Sequence, residues 1–149
     1  MTQEQDCLPR GYNAARGEES MAWRESFDVP PSIHQNPIPT ACRVGNVLFT
    51  SVIGGRDPET GATPESVEEQ AANVFENLRN ILAKAGGTPS DVARVTVFVS
   101  DPGVRPHVNK PWLEMFPDEA SRPARHTIVQ GGGGPAVSIE VIAVIGGRT

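Results

Sequence analysis

At 149 residues, with 38% hydrophobic and 21% charged residues, the chain has the size and composition of one ordinary globular domain with a single hydrophobic core. The formal net charge of −5 and the absence of a lysine and arginine cluster argue against nucleic acid as a main partner. No apolar run approaches the roughly 18 residues that a membrane span requires, so we expect no membrane partner.

The first 30 residues are predicted to form a polar extension that carries one short strand. Residues 1–20 show no hydrophobic periodicity and are expected to be loosely ordered. Trp23–Val29 alternates apolar and polar side chains, which indicates an edge strand that Pro30-Pro31 ends. The two prolines of Asn36–Pro39 exclude a helix and predict extended backbone.

A hairpin, a turn and a long helix are expected next. Residues 41–52 are typical of two short strands joined by a tight Gly45-Asn46 turn, and residues 56–61 of a surface turn. Thr63 can cap a helix with Pro64 as its first residue, and this helix ends at the following glycine pair. Apolar residues at helical spacing form its buried face, namely Val67, Ala71, Val74, Leu78, Leu82 and Ala85.

The last third of the chain predicts three strands and a second helix. Residues 92–100 are apolar almost throughout, as in a strand covered on both faces. Residues 125–130 and 136–145 are two further strands, and residues 131–134 connect them without the sequence of a phosphate loop. The second helix either starts or kinks at a proline, and its apolar positions are best explained as core: Val108, Trp112, Met115 and Phe116.

This order of elements indicates an α/β fold with two helices on one face of a mixed sheet. The other sheet face is also apolar, which predicts that it is buried against a neighbouring subunit. Cys7 lies in the polar tail, so a disulfide with Cys42 is not expected. We therefore expect a reducing, cytoplasmic location. The cysteines and scattered histidines lack the spacing of metal ligands, so we expect no metal site.

Several segments in the right order resemble the RidA/YjgF family, and together they cover roughly residues 33–146. These segments are Ala41–Ser51, Asp57–Gly61, Glu69-Gln70 with Asn77-Leu78, Val95–Asp101, Val108-Asn109, Arg122–Arg125 and Ile139–Val144. The resemblance implies a RidA-like domain over residues 31–149 with a chorismate-mutase-like fold, and a homotrimeric barrel with three clefts between subunits. Metabolic members of that family hydrolyse reactive enamines or imines to ammonia and a 2-keto acid, without cofactor or metal.

Arg125 is the strongest candidate for a substrate-binding residue. A carboxylate beside an imine is well matched by a permanently charged, bidentate guanidinium. The alternative is a surface arginine that pairs with an acidic residue. The resemblance also assigns Ser51 and Asn109 to the site, although Ser51 is equally explained by a hydrogen bond to backbone and Asn109 by a helix cap.

The sequence departs from the family at two positions. The family's tyrosine falls on Ile38, and the first of its two alternating glutamates falls on Ser138 when the second is placed on Glu140. An ungapped count from Arg125 favours Glu140 directly, so either register is open. His34 is a candidate to replace the lost tyrosine, whereas strand alternation sends His126 to the face opposite Arg125.

These residues support one main functional hypothesis and two alternatives. The main hypothesis is a deaminase in which Arg125 holds the substrate carboxylate while Glu140 or His34 positions a water molecule, with Ser51 as a further catalytic candidate. Ile38 and Ser138 would favour a substrate larger than aminoacrylate, such as an aminomuconate-like compound. The first alternative is a ligand-binding or regulatory trimer without turnover, and the second, ribonuclease activity, is disfavoured by the acidic net charge.

Overall fold

The computed structural model describes residues 22–146 and, in the N-terminal extension, two short strands that pair antiparallel. These two strands are β1 (Tyr12–Asn13) and β2 (Glu18–Glu19). The other residues before residue 22, including Cys7, lie outside the described residues.

The main sheet has six strands in the order β3-β4-β5-β8-β6-β7. All neighbours pair antiparallel except β6 and β7, which are parallel. The predicted edge strand is confirmed as β3, so the sheet begins within the segment assigned to the extension. The strands are β3 (Arg24–Phe27), β4 (Ala41–Val44), β5 (Val47–Thr50), β6 (Val92–Val99), β7 (Ala124–Val129) and β8 (Val137–Val144).

Two helices cover one face of this sheet, as the sequence predicted. They are α1 (Val67–Lys84) and α2 (Arg105–Met115). Their buried side chains and those of the central strands form one core cluster. The predicted start of α1 is wrong by three residues, because the Ser66 side chain accepts from the Glu69 backbone N–H at 3.3 Å and caps the helix there. The Gln70 side chain donates to the Pro64 carbonyl oxygen at 2.8 Å, which keeps that residue outside the helix.

The loop between β3 and β4 is held by side chains of the strands that flank it. Thr40 Oγ1 accepts from the Val29 backbone N–H, and Asp28 Oδ1 accepts from the Thr40 N–H, each at 3.0 Å. The expectation of extended backbone over residues 36–39 is wrong in part, since the Ile38 N–H donates back to the Asn36 carbonyl at 2.7 Å and bends the chain. The loop is therefore fixed in place rather than simply extended.

The sheet face away from the helices carries exposed apolar side chains. Phe49 and Ile142 are neighbours across β5 and β8 and lie on this face. Phe49 and Val144 are 42% and 40% exposed. We name this surface the open face, and its burial against a neighbouring subunit stays a prediction. Among the described residues, no helix combines the length and apolarity needed to cross a membrane.

The segment after β5 is clamped against α1 by amide side chains. Asn77, which is 2% exposed, donates from Nδ2 to the carbonyl oxygens of Gly54 at 3.1 Å and Arg56 at 2.9 Å. Asn73 Nδ2 donates to the Gly55 carbonyl at 3.2 Å. A Cβ atom at Gly55 would lie 2.7 Å from the Gln70 carbonyl oxygen, so only glycine allows this close approach.

Gly55→Ala is therefore expected to lower the free energy of unfolding by about 1–3 kcal/mol, because the helix backbone must move away from the new methyl group. Gly54→Ala is the matched control, since nothing lies within 4 Å of its added Cβ. The control should be neutral or slightly stabilising, by up to about 1 kcal/mol. Urea denaturation of both variants measures this difference, and equal stabilities would contradict the proposed close packing.

Candidate active site

Arg125 lies on the edge strand β7 with its side chain on the helix-covered side of the sheet. It pairs with Val95, which is fully buried in the core, and residues at paired positions share a face. Its guanidinium carbon lies 5.2 Å from the centroid of the Trp112 ring, in a cation–π contact. Nη1 donates to Asn109 Oδ1 at 2.9 Å, and Nε donates to Thr127 Oγ1 at 3.4 Å. We call these four residues the Arg125 group.

The charge of Arg125 has no acidic counterpart within the described part of the chain. No carboxylate there lies within ion-pair distance of it. Within residues 22–146, the structure therefore does not support the alternative of a surface arginine paired with an acidic residue. Burial, and secondarily the positive charge of Arg105, lowers the pKa of Arg125. Such an unpaired and partly desolvated cation favours an anionic ligand.

Helix α2 supplies two of the residues that hold this guanidinium. Asn109 lies inside the helix and accepts from Arg125, so the alternative that it caps the helix is wrong. Trp112, three residues later, lies on the same helix face. It is 7% exposed and packs edge-on against Phe75 and Phe116. The sequence identified it only as a core residue, because helical spacing does not show that its ring also contacts a cation.

The other predicted residues near the β3–β4 loop form a separate set. Ser51 Oγ donates to the Pro39 carbonyl oxygen at 2.8 Å, so its hydroxyl does satisfy backbone. Ile38 is 46% exposed and lines, with His34, a cleft of about 300 Å³. His34 Nε2 is buried and has no hydrogen-bond partner among the described residues. We call Ser51, Ile38 and His34 the loop group.

The candidate acid–base residue on β8 lies on the open face. Glu140 pairs with Thr96 and is exposed, and Ser138 pairs with Phe98 on the same face. His126 also pairs with Thr96, which confirms that it points away from Arg125. Within one chain, Glu140 and Arg125 thus lie on opposite sides of the sheet.

The Arg125 group and the loop group are also far apart within one chain. β7 is one edge of the sheet, and Ser51 follows β5, which lies three strand positions away. At about 4.8 Å per strand, this separation is roughly 14 Å. The loop that carries His34 follows β3, the opposite edge strand. A single chain therefore does not bring the predicted residues into one pocket.

Comparison with known proteins identifies the family of this chain. A family model described as endoribonuclease L-PSP matches residues 34–145, three quarters of the chain. The chain belongs to this family, the RidA/YjgF family. The resemblance seen in its sequence motifs is thereby confirmed.

Curated relatives and a solved structure are consistent with this assignment. The chain is 30% identical over 117 residues to the 3-aminoacrylate deaminase RutC of Acinetobacter baylyi, which is 78% of this chain and 90% of that protein. It is 36% identical over 92 residues to the chloroplastic Reactive Intermediate Deaminase A of Arabidopsis thaliana, covering 61% and 48% of the two chains. The crystal structure of RidA from an Antarctic Psychrobacter species matches with a TM-score of 0.72 and 29% identity, covering 80% and 98%.

Proposed function

We propose that this RidA/YjgF protein is a cofactor-free hydrolytic deaminase of enamine or imine intermediates that carry a carboxylate. The observation that carries the proposal is the Arg125 guanidinium, which is half-buried, oriented by Asn109 and Trp112, and free of any acidic partner in the described chain. A planar guanidinium held in this way is suited to a bidentate contact with a substrate carboxylate. Relatives named as deaminases support the reaction class.

We further propose that the active site forms between subunits of a homotrimer. The Arg125 group lies at one edge of the sheet and the loop group lies elsewhere, so each would be half of a cleft. The exposed apolar side chains of the open face supply a surface for subunit contact. In such a trimer, the loop group of one subunit meets Arg125 of the next.

The reaction in this cleft is the addition of water to a carbon–nitrogen double bond. An enamine substrate first takes up a proton at carbon and becomes the imine. Water then adds to the imine carbon, the nitrogen gains a proton, and the carbon–nitrogen bond breaks to give ammonia and a 2-keto acid. Glu140 or His34 would accept the proton from water, and Ser51 would help to position that water. The lack of a partner for His34 Nε2 leaves this atom available for such a contact.

A ligand-binding or regulatory trimer is the second candidate function. Two points favour it. Ile38 falls where the family carries a tyrosine, and Ser138 falls on the first of the family's two glutamates in the register that puts the second on Glu140. The Ser51 hydroxyl is also already bound to backbone. Such a protein would use Arg125 to bind carboxylates and would not accelerate hydrolysis. We prefer the enzyme, because imines are reactive enough for positioning and electrostatic stabilisation to have a large effect.

A competition assay separates these two functions. An enamine or imine such as 2-aminoacrylate or 2-iminobutyrate is generated enzymatically in the presence of semicarbazide, which traps it as an adduct that absorbs ultraviolet light. We expect this protein to reduce adduct formation in a concentration-dependent way while 2-keto acid appears. The same assay with 2-aminomuconate tests the larger substrate class. If the protein accelerates the hydrolysis of none of these three compounds but still binds carboxylates, the deaminase proposal is wrong and the second candidate is supported.

A further inference from the structure

A second cationic pocket lies beside the loop group. The β3–β4 loop and the segment after β5 enclose a cavity of about 180 Å³, lined by His34, Val52, Gly54 and Arg56 among others. None of these side chains belongs to the Arg125 group. The cavity brings together an arginine, a histidine and two exposed apolar side chains, Ile33 and Val52.

Arg56 brings an uncompensated positive charge to this cavity. Within residues 22–146, no carboxylate lies within ion-pair distance of its guanidinium. The neighbouring Asp57 forms no ion pair with Arg56. Its Oδ1 instead accepts from the backbone N–H groups of Glu59 at 2.8 Å and Thr60 at 3.0 Å. These hydrogen bonds, that from the Thr60 N–H first and that from the Glu59 N–H second, lower the pKa of Asp57.

His34, which lines both this cavity and the cleft beside Ile38, carries an unsatisfied polar atom. Its Nε2 is buried and finds no hydrogen-bond partner in the described chain. A buried polar atom without a partner costs free energy that a ligand can recover by bonding to it. An anion bound to Arg56 is such a ligand, because its oxygen can accept a hydrogen bond from Nε2–H.

The backbone that carries Arg56 is fixed before any ligand arrives. Asn77 binds the carbonyl oxygens of Gly54 and Arg56, and Gly55 lies against α1 with no room for a side chain. A charged group on a fixed backbone loses less conformational entropy on binding than one on a free loop. The main chain of Arg56 is therefore already in position before a ligand binds.

We propose that Arg56 and His34 form a second anion subsite that takes the distal carboxylate of a dicarboxylate substrate, which leaves Glu140 as the residue that accepts the proton from water. This inference rests on the proposed function, in which Arg125 of the neighbouring subunit holds the carboxylate beside the imine. Val52 directly follows Ser51 of the loop group and is 44% exposed, so it offers an apolar contact for the carbon chain between the two carboxylates. The substrate class is thus a dicarboxylic imine or enamine rather than a small monocarboxylate.

Calorimetric titration with two stable 2-keto acids tests this subsite. We expect 2-oxoadipate, with two carboxylates, to bind about tenfold more tightly than 2-oxobutyrate, with one. Arg56→Gln should remove this advantage and leave the affinity for 2-oxobutyrate unchanged. His34→Phe, which keeps the ring and removes the donor, should weaken 2-oxoadipate as well. Arg79→Gln is the matched control, because Arg79 is a surface residue of α1 that pairs with Glu76.

The outcomes distinguish the subsite from the deaminase. Equal affinity of the two acids, or an equal loss of both in Arg56→Gln, overturns the subsite and leaves the deaminase proposal standing. A preference for 2-oxoadipate that depends on Arg56, found in a protein that hydrolyses no imine, supports the subsite and overturns the deaminase. A loss of 2-oxoadipate binding in Arg79→Gln as large as in Arg56→Gln would show a general charge effect and would also overturn the subsite.

Discussion

Arg125→Ala is expected to lower kcat/KM for a carboxylate-bearing imine by about 10²–10³-fold. The variant removes the cation that has no acidic partner in the described chain, together with its hydrogen bonds to Asn109 and Thr127. The substrate then loses both its affinity for the cleft and its orientation relative to the attacking water. Initial rates over a range of substrate concentrations, followed as 2-keto acid formation, measure the change.

Arg125→Lys separates charge from geometry at the same position. A lysine keeps the positive charge but has neither the planar pair of donors nor the same contact with the Trp112 ring. We therefore expect Arg125→Lys to remain at least about tenfold impaired. Arg79→Lys on the surface of α1 is the control for arginine replacement as such. An Arg125→Ala variant with normal activity and an intact fold would remove the basis of the proposed function.

The sequence predicted the strands and the order of elements well, because hydrophobic alternation and turn residues are local signals. The hairpin around Gly45-Asn46 and the position of β8 follow directly from them. The start of α1 was missed because both Thr63 and Ser66 can cap a helix. In the folded chain the Ser66 side chain accepts from the Glu69 N–H, and Gln70 binds the Pro64 carbonyl before the helix begins, contacts that the local sequence does not show.

The candidate site was predictable only in part, for a different reason. Arg125 was identified from its motif as the candidate substrate-binding residue, and strand alternation correctly predicted that His126 points to the opposite face. The role of Trp112 depends on how α2 crosses β7, and a spacing pattern holds no information about that crossing. The orphaned Nε2 atom of His34 is likewise a property of the packed loop and not of its sequence.

Mixing two inactive variants is expected to restore activity if the cleft forms between subunits. Arg125→Ala removes the Arg125 group's cation, and Val52→Trp fills the exposed position next to the loop group. In a cyclic trimer, each cleft takes one half from each of two neighbouring subunits. Every mixed trimer, whichever variant it contains twice, then has about one of its three clefts with both halves native.

Co-expression of the two variants under different affinity tags, followed by tandem purification, yields the mixed trimers for this measurement. We expect the purified mixed trimers to have activity near one third of the wild-type value. Each variant alone should stay below about one hundredth, in line with loss of the anchoring cation or blockage of the cleft. Within one chain, Arg125 lies on β7 and Val52 follows β5. These two strands are three positions apart in the sheet, a separation of roughly 14 Å. A small imine cannot contact both across that distance, so recovery of activity requires that the two halves come from different subunits. Mixed trimers as inactive as the parents would show instead that Arg125 works with residues of its own chain.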